Sequence, residues 1–230
     1  MDIREIVCKA VELVPGVLPY LSDKALAIKT IGQYDRQLWS YALALYRDGD
    51  SGEFIDKFAT AIKVQLTKAF HEGAADIGIS PDEFTDADKK YLQVLIDSEY
   101  DHVLNLAGDI EAAQDKTEEE FRASFRSRID LWINRYNEVV NDAHIYFGGK
   151  TKLQWNLGET EEHCEQCSKL SGIVAFAYEW EESGIKPQNP PNPVLTCGGW
   201  KCDCTLDVTD SRRSPNALKR LMDIAVAANI

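Results

Sequence analysis

"CGGWKCDC", residues 197–204, sets three cysteines, a Gly-Gly pair and a tryptophan side by side, and about thirty residues upstream "HCEQC", residues 163–167, supplies two more cysteines. Cys164 and Cys167 form a C-x2-C, and Cys197, Cys202 and Cys204 a C-x4-C-x-C. A C-x2-C lets two thiolates converge on one tetrahedral centre from a tight turn, and a distant second pair completes the four ligands of a structural zinc. Gly198-Gly199 permits a close backbone bend that brings Cys197 and Cys202 to the same side. Cys202 and Cys204, two apart, share a face if their segment is extended. The expected ligands are therefore four of the five residues Cys164, Cys167, Cys197, Cys202 and Cys204. His163 is a weaker alternative, because in a strand it points away from its neighbour Cys164.

Energetics favour metal over the other uses of these thiols. Closing a loop of about thirty residues costs roughly 3 kcal/mol plus a constant, whereas a structural zinc supplies an apparent ~10 to 16 kcal/mol. A disulfide offers about 3 to 4 kcal/mol but does not persist in a reducing compartment. The N-terminal "MDIREIVCKAVELVPGVLPYL" has Asp2 and Glu5 where a secretory signal needs positive charge, so the expected setting is the reducing cytosol. Redox use of "CEQC" is disfavoured because no βαβ pattern surrounds it.

The segment around the cysteines needs such a staple. From Lys152 to Asp210 the helical period disappears, and Pro187, Pro190, Pro191 and Pro193 forbid a helix. "GIVAFAYEW" and "CTLDVT" are short β-prone runs, so a small irregular β module is expected at residues 150–211. A single helix follows within 212–230, from about Pro215.

Residues 1–149 read as a bundle of long helices. In "KKYLQVLIDSEYDHVLNLAGDIEAA", Leu92, Ile96, Tyr100, Val103, Ala107 and Ile110 recur every three or four residues, the stripe of one long helix. Ser80, Pro81 and Glu83 supply its start as a capping box. Thr117 and Glu120 repeat the device before the stripe Phe121, Phe125, Ile129, Trp132, Tyr136 and Val140, which stops at Gly148-Gly149. "DRQLWSYALALY" and "EFIDKFATAIKVQLTKAFHEGAADIGI" read as two earlier helices separated by "RDGDSG". Cys8, with Val11 and Val14 following at steps of three, reads as a small core residue. The fold class is thus mainly α: a long-helix bundle, a cysteine-rich β-containing module and a C-terminal helix.

No catalytic constellation stands out. "HEGAAD" begins like the zinc-protease helix motif, but Ala75 occupies the position of the second histidine after His71. His102 and His144 are isolated. An all-sulfur ligand set is a closed structural site without the open position a catalytic zinc requires. The net charge of −13 disfavours non-specific nucleic-acid binding. Arg122, Arg126, Arg128 and Arg135 form a locally basic stretch, but Glu118, Glu119 and Glu120 lie one turn before it, the arrangement of a solvated, ion-paired helix face. No apolar run approaches the roughly 18 to 20 residues of a membrane span.

The cysteine segment resembles the C-terminal module of the phage minor head, or head-morphogenesis, proteins (Mu F-like and SPP1 gene product 7-like). In that family a tryptophan precedes a C-x2-C, a Leu-x-Gly follows it, and a proline-rich loop leads to a closing C-x-C. Trp155, Cys164, Cys167, Leu170, Gly172, Cys202 and Cys204 match those features. Where many members carry a histidine just before the C-x-C this sequence has Gly199, with Cys197 nearby. The helical region, with "HEGAADIGI" and paired long helices, is similar to the family's N-terminal part. The resemblance implies a non-enzymatic minor capsid protein of a phage or prophage that acts in head morphogenesis at the portal vertex. Its expected partners are the portal protein and other capsid or scaffold proteins, and its expected location is the virion, with the host cytoplasm during assembly. The competing expectation is a cytosolic zinc-stapled adaptor unrelated to phage.

Overall fold

The computed structural model describes residues 31–159, 163–200 and 202–228. Cys8 and the N-terminal stretch lie outside the described residues. The first two helices, α1 (Ile31–Asp48) and α2 (Ser51–Asp76), turn on Gly49, at φ +74°, and Asp50. The Asp50 carboxylate caps α2 by accepting from the Glu53 N–H at 2.9 Å. Tyr34, Leu38, Ala42 and Leu45 on α1 and Phe54, Phe58, Ile62, Leu66 and Phe70 on α2 form facing buried stripes.

The expected long helix after Ser80 is divided into three elements. Ser80 does start a capping box, but the box closes a single 3-10 turn, Pro81–Glu83. Phe84 leaves that turn in extended conformation and joins an aromatic cluster, 5.6 Å from Phe70 and 5.2 Å from Phe147 between ring centroids. Thr85 then caps α3 (Asp86–Asp97) with a second box through Asp88. The stripe breaks again before α4 (Tyr100–Glu111), where Glu99 turns inward to accept from Trp132 Nε1 at 3.1 Å and Arg135 Nε at 2.8 Å. The apolar period runs through both breaks, which is why it reads as continuous.

The longest helix, α5 (Glu118–Gly148), begins with the expected Thr117–Glu120 capping box and ends at the expected glycines. Phe121, Phe125, Ile129, Trp132 and Tyr136 are buried as the stripe requires, and the contact face then shifts to Val139 and Ala143, leaving Val140 half-buried. Helix α2 lies tightly against it at Gly73, where an added Cβ would stand 2.6 Å from the Val140 carbonyl oxygen and 2.7 Å from the Ala143 Cβ. The arginines of α5 are ion-paired: Arg122 with Glu118, Arg126 with Asp130, and Arg128 with Asp109. Arg135 departs from the expected solvated face. It is half-buried, its side chain 15% exposed, between Glu99 and Glu138.

After Gly149, β1 (Lys152–Asn156) is the central strand of a three-stranded antiparallel sheet of order β2-β1-β3, with β2 spanning Val174–Phe176 and β3 spanning Thr205–Val208. Between β1 and β2 lies the short α6 (Glu165–Leu170). The β-prone run "GIVAFAYEW" is a strand only as far as Phe176. It continues as α7 (Ala177–Ser183), because the Glu179 carboxylate accepts from the Phe176 N–H at 2.9 Å and caps a helix there. Helix α8 (Ala217–Ala228) closes the chain's described part. Leu153, Trp155, Trp180, Leu206 and Leu221 make a second buried cluster together with the cysteines.

The last turns of α5 enter both cores. Ile145 packs in the second cluster. The Asn141 side chain accepts from the Leu206 N–H at 2.9 Å, and His144 Nδ1 lies 2.7 Å from the Leu206 carbonyl oxygen. Asp142 accepts from Lys186 Nζ at 2.7 Å. His144, isolated in sequence, is therefore a buried anchor between α5 and β3.

The Gly73 crossing is directly testable. Gly73→Val forces α2 off the backbone of α5 and should cost about 1 to 3 kcal/mol, as overpacking does. Chemical denaturation followed by circular dichroism should show the midpoint fall without a change in the native helical signal.

Candidate metal centre

The C-x2-C is built on a helix start. Cys164 occupies the cap position of α6 in extended conformation, and its sulfur lies 3.4 Å from the Cys167 N–H that it accepts from. The cap and the third residue of a helix lie next to one another, so this spacing places both thiols at one helix end. The second arm arrives in two ways. Gly198 and Gly199, at φ +63° and +81°, turn the chain back after Cys197. An added Cβ on Gly199 would come 3.0 Å from the Pro190 nitrogen, so the approach of the two loop segments excludes a side chain there. Cys202 and Cys204 then lie in the extended approach to β3, both buried, with Asp203 between them exposed.

These elements bring together all five cysteines of the segment. Their sulfurs form two triads, Cys164–Cys167–Cys197 and Cys167–Cys202–Cys204, each with sulfurs within 4.8 Å of one another. Cys167 belongs to both. The Gly-Gly bend groups Cys197 with Cys164 and Cys167, while Cys202 groups with Cys167 and Cys204. His163 belongs to neither triad. Gln166 ties the two arms by accepting from the Thr196 N–H at 3.1 Å.

The spacing fits a tetrahedral thiolate ion. Zinc–sulfur bonds of about 2.3 Å at tetrahedral angles set neighbouring sulfurs roughly 3.8 Å apart. Cys167 and Cys202 Sγ lie 3.8 Å apart. The cysteines are free thiols, not disulfides.

The electrostatics also call for a cation. Contacts with the Cys167 and Cys202 sulfurs hold the Cys204 thiol down at about 3 despite burial, helped by the Gly158 N–H and the Trp155 indole. The same contacts, with Cys202 and Cys204 first, push Cys167 far up. Burial pushes Cys197 up to about 11, against the Gly199 N–H. At Cys164 burial raises the thiol, but the N–H and sulfur of Cys167 and Cys197 outweigh it and leave it lowered. Without an ion, one thiolate suppresses ionisation of its neighbours. A divalent cation removes that conflict and lets several sulfurs ionise together.

Around the sulfurs stands a ring of donors. Peptide N–H groups of Cys167, Gly199, Gln188 and Gly158 serve Cys164, Cys197, Cys202 and Cys204 respectively. Trp155 Nε1 is fully buried without a hydrogen-bond partner among the described residues, and its dipole lowers the Cys204 thiol. Such outer donors orient metal-binding sulfurs and spread their charge. No family model, curated protein or solved structure matches this chain. The assignment of a metal-binding centre therefore rests on the geometry of these residues.

Gly158 and Gln188 were not legible as part of the centre, because they act through backbone N–H groups. Gly158 carried one signal, a glycine just after β1. An added Cβ there would stand 2.4 Å from the Asp203 carbonyl oxygen, between Cys202 and Cys204. Gly158→Val should thus push the Cys202–Cys204 segment away and open the cluster. Thiol titration of the folded protein should show the buried cysteines reacting about tenfold faster or more, in keeping with an overpacking cost of about 1 to 3 kcal/mol.

Proposed function

We propose that the chain is a structural protein of a phage or prophage head, acting in head morphogenesis at the portal vertex, with its C-terminal module stapled by one zinc ion. The observation that carries this reading is the way the residues of the resemblance come together. Trp155, Cys164, Cys167, Leu170, Cys202 and Cys204 pack in one cluster, and Gly172, at φ +72°, donates its N–H to the Trp155 carbonyl oxygen at 2.9 Å. The matched positions thus make one physical unit rather than a scatter of similar letters.

Zinc suits the donor set. A sulfur-only cluster favours zinc or iron–sulfur chemistry over hard cations, and a closed four-sulfur tetrahedron is the structural form of zinc. In this reading the ligands are Cys164, Cys167, Cys202 and Cys204. Cys197, the half-buried residue that the family pattern does not match, stays outside the coordination shell. The metal then joins the α6 start to the β3 approach and fixes the module, with no open position for a substrate.

Four measurements test it. Elemental analysis should find about one zinc per chain. Alkylation of the folded, metal-loaded protein should label Cys197 and spare the four ligands, whereas release of the metal should expose all five. Cys167→Ser should lose the ion and melt the sheet, and because α5 enters both cores it should also lower the thermal midpoint of the helices. For the assembly role, the chain co-expressed with the portal protein encoded beside it should co-purify with the portal oligomer. A chain that does not associate, and whose gene sits in a cellular operon without portal or terminase genes, would be the metal-stapled adaptor instead.

A further inference from the structure

The five cysteines are not equally within reach of solvent. Cys167, Cys202 and Cys204 are buried, while Cys164 and Cys197 are half-buried. Both half-buried residues belong to one triad, Cys164–Cys167–Cys197, whereas Cys167–Cys202–Cys204 is buried throughout. An ion coming from solvent therefore meets the outer triad first. Cys167 stands in both triads, so an ion can pass from one to the other without losing its hold on that sulfur. Cys164 is grouped with the outer pair rather than with Cys202 and Cys204.

The place of Cys197 is set by residues outside the ligand set. Gln166, between Cys164 and Cys167 in sequence, accepts from both the N–H and the hydroxyl of Thr196, the residue before Cys197. This clamp fastens the Cys197 arm onto the C-x2-C. Behind Cys197 the backbone is held as well: the Gly198 N–H donates to the Leu195 carbonyl oxygen at 2.7 Å, and the Gly198 carbonyl oxygen accepts from the Asn192 N–H at 2.9 Å. Side chain and backbone together thus keep the Cys197 thiol against Cys164 and Cys167, although the four-cysteine site leaves it out.

We propose that Cys197 is the entry and exit ligand of the metal centre: the outer triad takes up a zinc ion and passes it to Cys202 and Cys204. This rests on the reading of a four-cysteine zinc site and deepens it. In the exchange, bonds from the ion to the Cys202 and Cys204 sulfurs form, and its bonds to the Cys197 sulfur and to one solvent molecule break. The two incoming thiols give up their protons; the departing Cys197 thiolate takes one back and the other goes to solvent. Zinc accepts a fifth ligand in passing, so no unbound ion stands between the two arrangements. A closed site needs an entry path. A thiol tethered beside it supplies one by acting at high effective concentration, and the reverse exchange carries the ion out.

The test compares the zinc-loaded full chain with Cys197→Ala and Gln166→Ala. Each is mixed with cadmium, whose thiolate charge-transfer absorption reports its arrival in place of zinc, and separately with a zinc chelator. Cys197→Ala should retain about one zinc per chain, as the four-sulfur site requires. Cadmium uptake and zinc release should each slow by about tenfold or more, as loss of a tethered ligand at high effective concentration does. Gln166→Ala keeps all five thiols and should slow both steps in the same direction, so the result does not hang on one substitution. Loss of zinc from Cys197→Ala makes Cys197 a permanent ligand and overturns the proposal, and so do unchanged rates in both variants. A native chain without zinc fails the metal reading itself, an outcome seen before any variant is compared.

Discussion

Five sulfurs from arms about thirty residues apart meet within one small volume, and the C-terminal half of the molecule is organised by that meeting. The sheet beside them is small: β2 and β3 have three and four residues. A sheet of that size is marginal by itself. What closes the module is the cluster in which Cys167, Cys202 and Cys204 pack against Trp155, Leu170 and Leu206. Cys167 stands in both triads, so it is the point at which the α6 arm and the β3 arm are joined.

Gathering thiols in an apolar core creates an electrostatic conflict that shapes their surroundings. Sulfurs this close cannot all carry charge in a buried place without some compensating partner. The chain answers with backbone N–H groups from Cys167, Gln188 and Gly158 and with the Trp155 indole. Glycine at 158 follows from this, since the N–H can approach Cys204 only where no Cβ meets Asp203.

Helix α5 carries the constraint into the rest of the molecule. Its first turns pack Phe121 and Phe125 into the bundle, and its last turns present Asn141, Asp142 and His144 to β3 and Lys186. These polar residues are buried and each makes a hydrogen bond to the module, so they specify how it sits on the bundle as an apolar face would not. A helix with an apolar stripe only would allow the module to slide. One with this polar end fixes a single register against Leu206.

Much of this was legible in the residues. Capping boxes at Thr117 and Ser80, the stripe of α5, the glycine stop at Gly148 and the C-x2-C are local or periodic signals, and short-range sterics and hydrogen bonding enforce them wherever the chain goes. The breaks at Phe84 and Glu99 were hidden because the apolar period continues across them, and only the aromatic cluster and the Trp132 and Arg135 donors decide where the helix stops. Local chemistry alone determined that the chain is mainly helical and that its cysteines fall in two short arms that could share a metal ion. Tertiary structure alone decided which sulfurs neighbour which, which backbone N–H groups serve them, that Arg135 pairs with Glu99 and Glu138, and that His144 is buried. Those outcomes depend on groups far apart in sequence whose desolvation and charge balance exist only once the chain has closed around them.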